Sequence, residues 1–180
     1  MNNPFRIGER IYLRPVERDD APLFVAWLND PEVTETLAMY RPINLATEEG
    51  FIAGVYKSEH DVVLGIVAKG DDQLVGVTGL HNIDWKNRQA SFGISIGVKG
   101  EWDKGYGGEA TRLMVGFAFE TLNLHRVWLH VYDGNARAMH VYEQVGFCRE
   151  GILRQARFHA GRYWDTITMA ILADEWRASA

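Results

Sequence analysis

The sequence predicts one mixed α/β domain, with a mostly antiparallel sheet and helices on both faces. Three observations carry that expectation. Apolar runs of strand length recur along the chain, several in strict alternation, and Lys69 to Asp72 turns one pair into a hairpin. Segments of helical period stand between the runs, with Ala110, Leu113, Met114, Phe117 and Ala118 marking one of them. The 180 residues contain no repeat, low-complexity stretch or linker that would divide them, so the domain spans 1–180.

Taken in order, Arg10 to Arg14 alternates and reads as a first strand, stopped by Pro15. Asp19 or Asp20 is placed to cap a helix with Pro22 in its first turn and Leu23, Phe24, Trp27 and Leu28 on its apolar face. Asn29-Asp30-Pro31 ends it. A short helical piece around Glu32 to Leu37 follows, then an irregular stretch through Met39, Tyr40 and Arg41. Thr47 is expected to cap a second helix bearing Phe51, Ile52 and Val55. Val62 to Ala68 and Leu74 to Leu80 pair across the hairpin turn. His81 ends the second of these and is expected opposite Phe92, if the next turn falls near Lys86. Ser91 to Val98 leads into a glycine-rich loop, and the helix after it ends near Asn123. Arg126 to Tyr132 alternates again. Asn135 is a good N-cap for a helix from Ala136 to Val145, stopped by Gly146. Phe147 to Arg154 and Tyr163 to Leu172 are the closing strands.

Composition bounds the function. Hydrophobic residues at 47% and charged residues at 24% place the chain among ordinary globular proteins. A formal net charge of −5 gives no broad basic footprint for nucleic acid. With Cys148 as the single cysteine, an internal disulfide framework and a cysteine-based zinc cluster are both excluded. No cluster has metal-ligand spacing. No run is long and apolar enough for a membrane span or a signal peptide, which points to the cytoplasm.

The glycine-rich loop carries the chemistry. Gly100, Gly105, Gly107 and Gly108 precede a helix whose first N–H groups lack intrahelical partners, a site suited to phosphate or pyrophosphate. A nucleotide P-loop is out, because Gly107-Gly108 runs into Glu109 rather than Lys-Ser/Thr. A dinucleotide site fits better: Gly105, Gly107 and Ala110 match G-x-G-x-x-A, with Asp133 ending the next strand. Against it, KGEWDK intervenes after Val98, and the unit begins past mid-chain. That reading stands as an alternative.

DKGYGGEA resembles motif A of the GNAT superfamily of acyl-CoA-dependent N-acyltransferases, and NARAMHVYEQVGF, from Asn135 to Phe147, resembles its second signature. IYLRPVERDDA and GRYWDTITMAIL are similar to the branch holding RimJ/RimL-like and spermidine acetyltransferases, so the resemblance covers nearly the whole chain. It implies a GNAT fold with a splayed central strand pair, acetyl-CoA as co-substrate, and direct transfer to a primary amine in a ternary complex. That amine is a polyamine, an amino acid, an amino sugar, an antibiotic or a protein N-terminus. It also implies that backbone N–H groups from Lys104 through Gly105, Tyr106, Gly107 and Gly108 hold the pyrophosphate, with the Lys104 charge added. Trp102 stands where the family usually has Gln or Arg. The pantetheine arm would pair with backbone groups of Ile96 and Val98, and a backbone N–H between Ile94 and Ile96 would polarise the thioester. Arg112 and Arg137 are further phosphate partners.

The resemblance places Tyr142 beside the sulfur as general acid and Asn135 on the pantetheine arm. Many members of the branch carry a glutamate base where Ser91 stands here. His81, acting through water, is the candidate base, with His130, Asp84, His159 and Asp165 as weaker ones. Tyr40 is assigned to the acceptor wall with His81 and Ser91. Homodimers are frequent in this branch. The absence of that glutamate keeps a second reading open, a non-catalytic acyl-CoA-binding or regulatory protein.

Overall fold

The computed structural model describes residues 1–179. One sheet runs through the molecule in the order β1-β2-β3-β4-β5-β6-β8-β7. Its strands are β1 (Arg6–Ile7), β2 (Ile11–Pro15), β3 (Val62–Ala68), β4 (Gln73–Asp84), β5 (Gln89–Ile96), β6 (Arg126–Tyr132), β7 (Cys148–His159) and β8 (Arg162–Leu172). The helices are α1 (Ala21–Leu28), α2 (Pro31–Thr34), α3 (Leu45–Val55), α4 (Tyr106–Gly116), α5 (Ala136–Val145) and α6 (Ala173–Ser179). Among the described residues, none of these helices is long and apolar enough to cross a membrane.

Alternation along the strands sorts the core into two layers. Ile11, Leu13, Leu64, Ile66, Leu80 and Phe92 turn to the face covered by α4 and α5. Tyr12, Val63, Val67 and Leu74 turn to the other face, where Phe24 of α1 and Ile52 and Val55 of α3 bury them. Val77 of β4 packs on that second face, so Gly79 and His81 at two-residue steps lie there too.

Every strand pair is antiparallel except β5 with β6. That parallel pair is joined only at Gln89–Arg126, Ala90–Val127 and Ser91–Trp128. Beyond it β5 keeps β4 as far as Ile96, and β6 keeps β8 as far as Tyr132. The sheet therefore splits into a V between Phe92–Ile96 and Leu129–Tyr132. An almost wholly antiparallel sheet also removes the dinucleotide reading, which needs consecutive parallel βαβ units.

Several boundaries differ from expectation. The cap of α3 is Asn44, whose side chain accepts the Thr47 N–H at 2.9 Å, so Thr47 lies inside the first turn. Asp20 precedes α1 without capping it, because its carboxylate is taken by the Arg14 guanidinium and the Glu17 N–H, each at 2.8 Å. The helix after the glycine loop changes from α to π at Phe117 and runs on to Thr121, close to its expected end near Asn123. β1 and α6 carry too few residues to show a period and were not anticipated. His81 pairs with Ser91, and Phe92 pairs with Leu80. The turn falls near Lys86 as expected, but an irregularity between His81 and Asp84 moves the register by one residue, so the expected His81–Phe92 pairing fails.

Candidate active site

A cavity of about 1000 Å³ fills the V. On one face it reaches Gly105, Tyr106, Gly107 and Gly108 at the start of α4 and Asn135, Arg137 and Tyr142 of α5. On the other it reaches the segment from Glu32 to Tyr40 and the β7 residues Arg157 and Phe158. Ile96, His130 and His159 also line it; Val98, Lys104, His81 and Ser91 do not.

Backbone phase fixes which groups of β5 face the opening. Gly97 donates to the Val75 carbonyl at 2.9 Å, so Ser91, Gly93 and Ser95 turn their peptide groups to β4, and Phe92, Ile94 and Ile96 turn theirs to the V. Two of the groups assigned to a pantetheine arm already have partners. The Trp102 indole N–H donates to the Ile96 carbonyl at 2.8 Å, and the Val98 N–H donates to the Val75 carbonyl at 3.2 Å. The Ile94 peptide groups and the Ile96 N–H remain directed at the opening, within the stretch expected to polarise a thioester.

The start of α4 has the makings of an anion site. Asp30, Asn44 and Asn135 each cap their helices with a side chain, but α4 begins at Gly105 with no side-chain cap. Its first N–H groups therefore open toward the cavity with the positive end of the helix dipole behind them. Gly105 has φ +80°, a left-handed conformation that turns the chain into the helix. A Cβ on Gly107 would meet nothing within 4 Å, so the loop offers bare backbone to a ligand. These features fit a pyrophosphate.

The Lys104 ammonium is held by Glu101 at 2.8 Å, and its carbonyl accepts from Arg10 at 2.8 Å. Arg137 lies over the Trp102 ring at 5.6 Å and beside Asp103 at 3.3 Å, at the cavity edge. Arg112 donates to the Gln144 carbonyl at 3.2 Å, outside the cavity lining. Glu109 was missed from sequence. It accepts the Arg10 N–H at 3.0 Å and the Arg10 Nε at 3.1 Å, tying the first turn of α4 to the start of β2.

Tyr142 is buried against Phe92 and Phe147, with ring centroids 6.1 and 5.8 Å away. Its hydroxyl has no hydrogen-bond partner among the described residues, and burial alone pushes its pKa up to about 12. Asn135 caps α5, accepting the Ala138 N–H at 3.1 Å, and that bond sets the start of the helix that carries Tyr142.

On the far face, Tyr40 is 83% exposed at the cavity mouth. Arg157 reaches across from β7 to the Glu35 and Leu37 carbonyls at 2.8 and 2.6 Å and lies over the Tyr132 ring at 4.3 Å. Ser91 points away from the opening and donates to the His81 carbonyl at 3.1 Å. Cys148 is an exposed free thiol outside the cavity. Among the described residues no group of three or more His, Cys, Asp or Glu could hold a metal ion.

A strand pair splayed beside an uncapped, glycine-led helix finds its counterpart among known proteins. The sequence profile of the acetyltransferase (GNAT) domain matches residues 10–148. The chain belongs to the GNAT family. It is 29% identical over 175 residues to the uncharacterized N-acetyltransferase p20 of Bacillus licheniformis, covering 93% of this chain and 96% of that protein. It is likewise 29% identical over 170 residues to the spermidine N(1)-acetyltransferase of Escherichia coli K12, covering 93% and 89%. The structure of spermidine N-acetyltransferase from Vibrio cholerae, solved with CoA and spermine, superposes with a TM-score of 0.87 at 26% identity, covering 94% of this chain and 99% of that one. This GNAT chain is an enzyme, an acetyl-CoA-dependent N-acetyltransferase.

Proposed function

We propose that the acceptor is a small primary amine that enters from the Glu32–Tyr40 side and attacks acetyl-CoA directly in a ternary complex. The observation that carries this reading is the V itself. Its cavity joins the α4 loop on one face of the sheet to a separate wall on the other, so two ligands can meet inside it. Acetyl-CoA supplies the acetyl group as a thioester. The Tyr106, Gly107 and Gly108 backbone would hold its pyrophosphate, with Arg137 at the edge. The Ile94 or Ile96 N–H would steady the developing oxyanion, a donor typically worth about 3 kcal/mol of barrier. Tyr142 would deliver its proton to the leaving sulfur.

His81 is the base in this reading. It lies on the acceptor face of the sheet, opposite the α5 face from which Tyr142 enters, so proton removal and proton delivery occur on separate sides of the V. The imidazole stands behind Gly93, which lines the cavity, so in this reading the amine proton reaches it through water. Glu35 and the rings of Tyr40 and Phe158 at the mouth suit a cationic acceptor. The exposed pair Ile152 and Leu153 on the edge strand β7 supports the homodimer common in this branch, and the exposed Cys148 thiol accords with a reducing cytoplasm.

The test is thiol release from acetyl-CoA across spermidine, single amino acids, aminoglycosides and N-terminal peptides. Turnover with a small amine, and none with peptides, is expected. Turnover restricted to peptides would overturn the assignment of a small acceptor.

A further inference from the structure

We infer that Asp61 is a positioning residue for the acetyl transfer. It fixes the His81 imidazole as the Nδ1–H tautomer and leaves Nε2 as the proton-accepting atom beside the V. This rests on the reading of His81 as base. Asp61 lies in the turn that leads into β3, and nothing in the glycine loop or the second signature points to it.

Three features of the structure converge on this dyad. The first is the contact itself: His81 Nδ1 stands 3.3 Å from Asp61 Oδ1. An ionised carboxylate only accepts, so the ring nitrogen facing it is the one that carries hydrogen, and the other nitrogen keeps its lone pair.

The second is that the carboxylate is itself held. Oδ2 accepts from the Ser58 hydroxyl at 2.7 Å, and Oδ1 also accepts the Asn82 N–H at 3.3 Å. Partial burial alone would raise the Asp61 pKa. The donors Ser58, Asn82 and His81 outweigh it and hold the group below the usual carboxylate value. The Asn82 N–H reaches Asp61 because Asn82 sits at φ +51°, within the irregularity that follows His81 in β4. Asparagine tolerates that left-handed conformation, and strand irregularities commonly re-aim a side chain beside an active site.

The third is the bed under the ring. Gly79 and Gly93 are cross-strand partners on the same face, one step along from the His81–Ser91 pair. A Cβ built on Gly79 would come within 2.8 Å of His81 Nε2, and one built on Gly93 within 3.6 Å. The imidazole thus lies over a gap in the side-chain layer, with Nε2 closest to Gly79 of β4 and next to the position of Gly93, a cavity-lining residue of β5. A larger residue at Gly79 would displace that nitrogen.

Other charged groups near the ring are engaged elsewhere. His60 Nδ1 is bonded to the Ile83 carbonyl at 2.7 Å, Asp84 holds the Asn87 N–H at 2.9 Å, and β5 offers only Ser91 and Gly93. Asp61 is the charged group in contact with His81 among the described residues.

The resulting step balances. As the amine nitrogen bonds to the acetyl carbon, it gives up an N–H proton to a water, which passes one of its own to His81 Nε2. The acetyl C–S bond then breaks, and the leaving CoA sulfur takes the Tyr142 phenol proton, which solvent restores. Asp61 accepts from Nδ1–H throughout and faces the imidazolium until the proton leaves to solvent.

The test compares Asp61→Asn and His81→Ala with the wild type on the best acceptor found. His81→Ala is expected to lower kcat by about tenfold or more. Asp61→Asn is expected to lower kcat similarly while leaving the KM for acetyl-CoA unchanged, and to shift the His81 ring away from the Nδ1–H tautomer in nitrogen-15 spectra. A merely structural role would not move that tautomer. If His81→Ala retains full activity, the base assignment fails and this inference with it. If His81→Ala is impaired but Asp61→Asn matches the wild type in rate and in His81 tautomer, His81 stands and Asp61 is excluded. Should Asp61→Asn fail to fold, nitrogen-15 spectra of wild-type histidines decide: an Nε2–H tautomer at His81 overturns the proposal, and an Nδ1–H tautomer supports it.

Discussion

A phenol whose pKa is pushed up to about 12 is a poor acid in water, yet Tyr142 is the group proposed to protonate the leaving sulfur. The desolvation that raises the phenol also raises the basicity of a departing thiolate in the same pocket, so the proton can still move. Tyr142→Phe keeps the ring packing against Phe92 and Phe147 and is expected to lower kcat on the order of 10²-fold, with acetyl-CoA affinity unchanged. Steady-state rates and calorimetric binding check both halves. The same hydroxyl carries a pH signature. Its folded-state pKa lies above the ordinary value, so its contribution to stability is full below that value and is lost as pH rises toward 12. Wild type is expected to lose about 2–3 kcal/mol more than Tyr142→Phe between neutral and strongly alkaline pH, read by denaturant titration. Tyr12, Tyr56 and Tyr132 are raised too, but they are common to both proteins and cancel. At this scale the sequence was informative where a role follows from local spacing, as for Asn135 capping the helix that carries Tyr142. It was silent on Asp61 and on the Lys104–Glu101 pair, whose meaning depends on which neighbours the fold supplies.

At the scale of elements, the start of α4 separates stability from binding. Gly107 is helical, and an added methyl there meets nothing within 4 Å. Alanine in place of glycine in a helix is worth about 0.5–1 kcal/mol. Gly107→Ala should therefore raise the melting temperature of the free enzyme while weakening acetyl-CoA, because the open space is where the pyrophosphate would lie. A variant both more stable and equally tight would mean that the phosphates lie elsewhere. Gly105→Ala behaves differently. Its φ of +80° and the Arg10 Nη1 atom 2.7 Å from the new Cβ make it costly in the free protein, by about 1–2 kcal/mol from the backbone alone. Thermal melts with and without acetyl-CoA distinguish the two sites. The strand–loop–helix order around this loop was readable because its apolar period changes from two to three or four. The α3 cap was not, since Asn44 and Thr47 are both good capping residues and only the hydrogen bond between them decides. The His81 register was misplaced for a related reason: a one-residue irregularity leaves no mark in an alternation that has already become polar.

For the whole molecule, the acceptor side of the V is closed by parts of the chain that no local pattern connects. Arg157 near the end of β7 bonds the Glu35 and Leu37 carbonyls at 2.8 and 2.6 Å, across a sequence separation of 122 and 120 residues. The reach is possible because β8 lies between β6 and β7, which brings the far end of the chain to the edge beside the α2 segment. Its guanidinium also lies 4.3 Å from the Tyr132 ring centroid, and Tyr132 meets Trp164 at 5.7 Å. One side chain thus ties β6, β7 and the segment after α2 into one wall. Lysine carries the same charge but cannot hold two carbonyls and lie flat on a ring at once. Arg157→Lys is therefore expected to raise the amine KM by about tenfold, the equivalent of one lost hydrogen bond of ~1.4 kcal/mol, while the acetyl-CoA KM stays put. The α4 loop that would hold acetyl-CoA is anchored separately, through Glu109 to β2, so loosening the acceptor wall should not reach it. Equal rises in both constants would mean that Arg157 supports the whole cavity. A rise confined to acetyl-CoA would place the amine on the opposite side of the sheet from Glu32–Tyr40 and reverse the direction of entry.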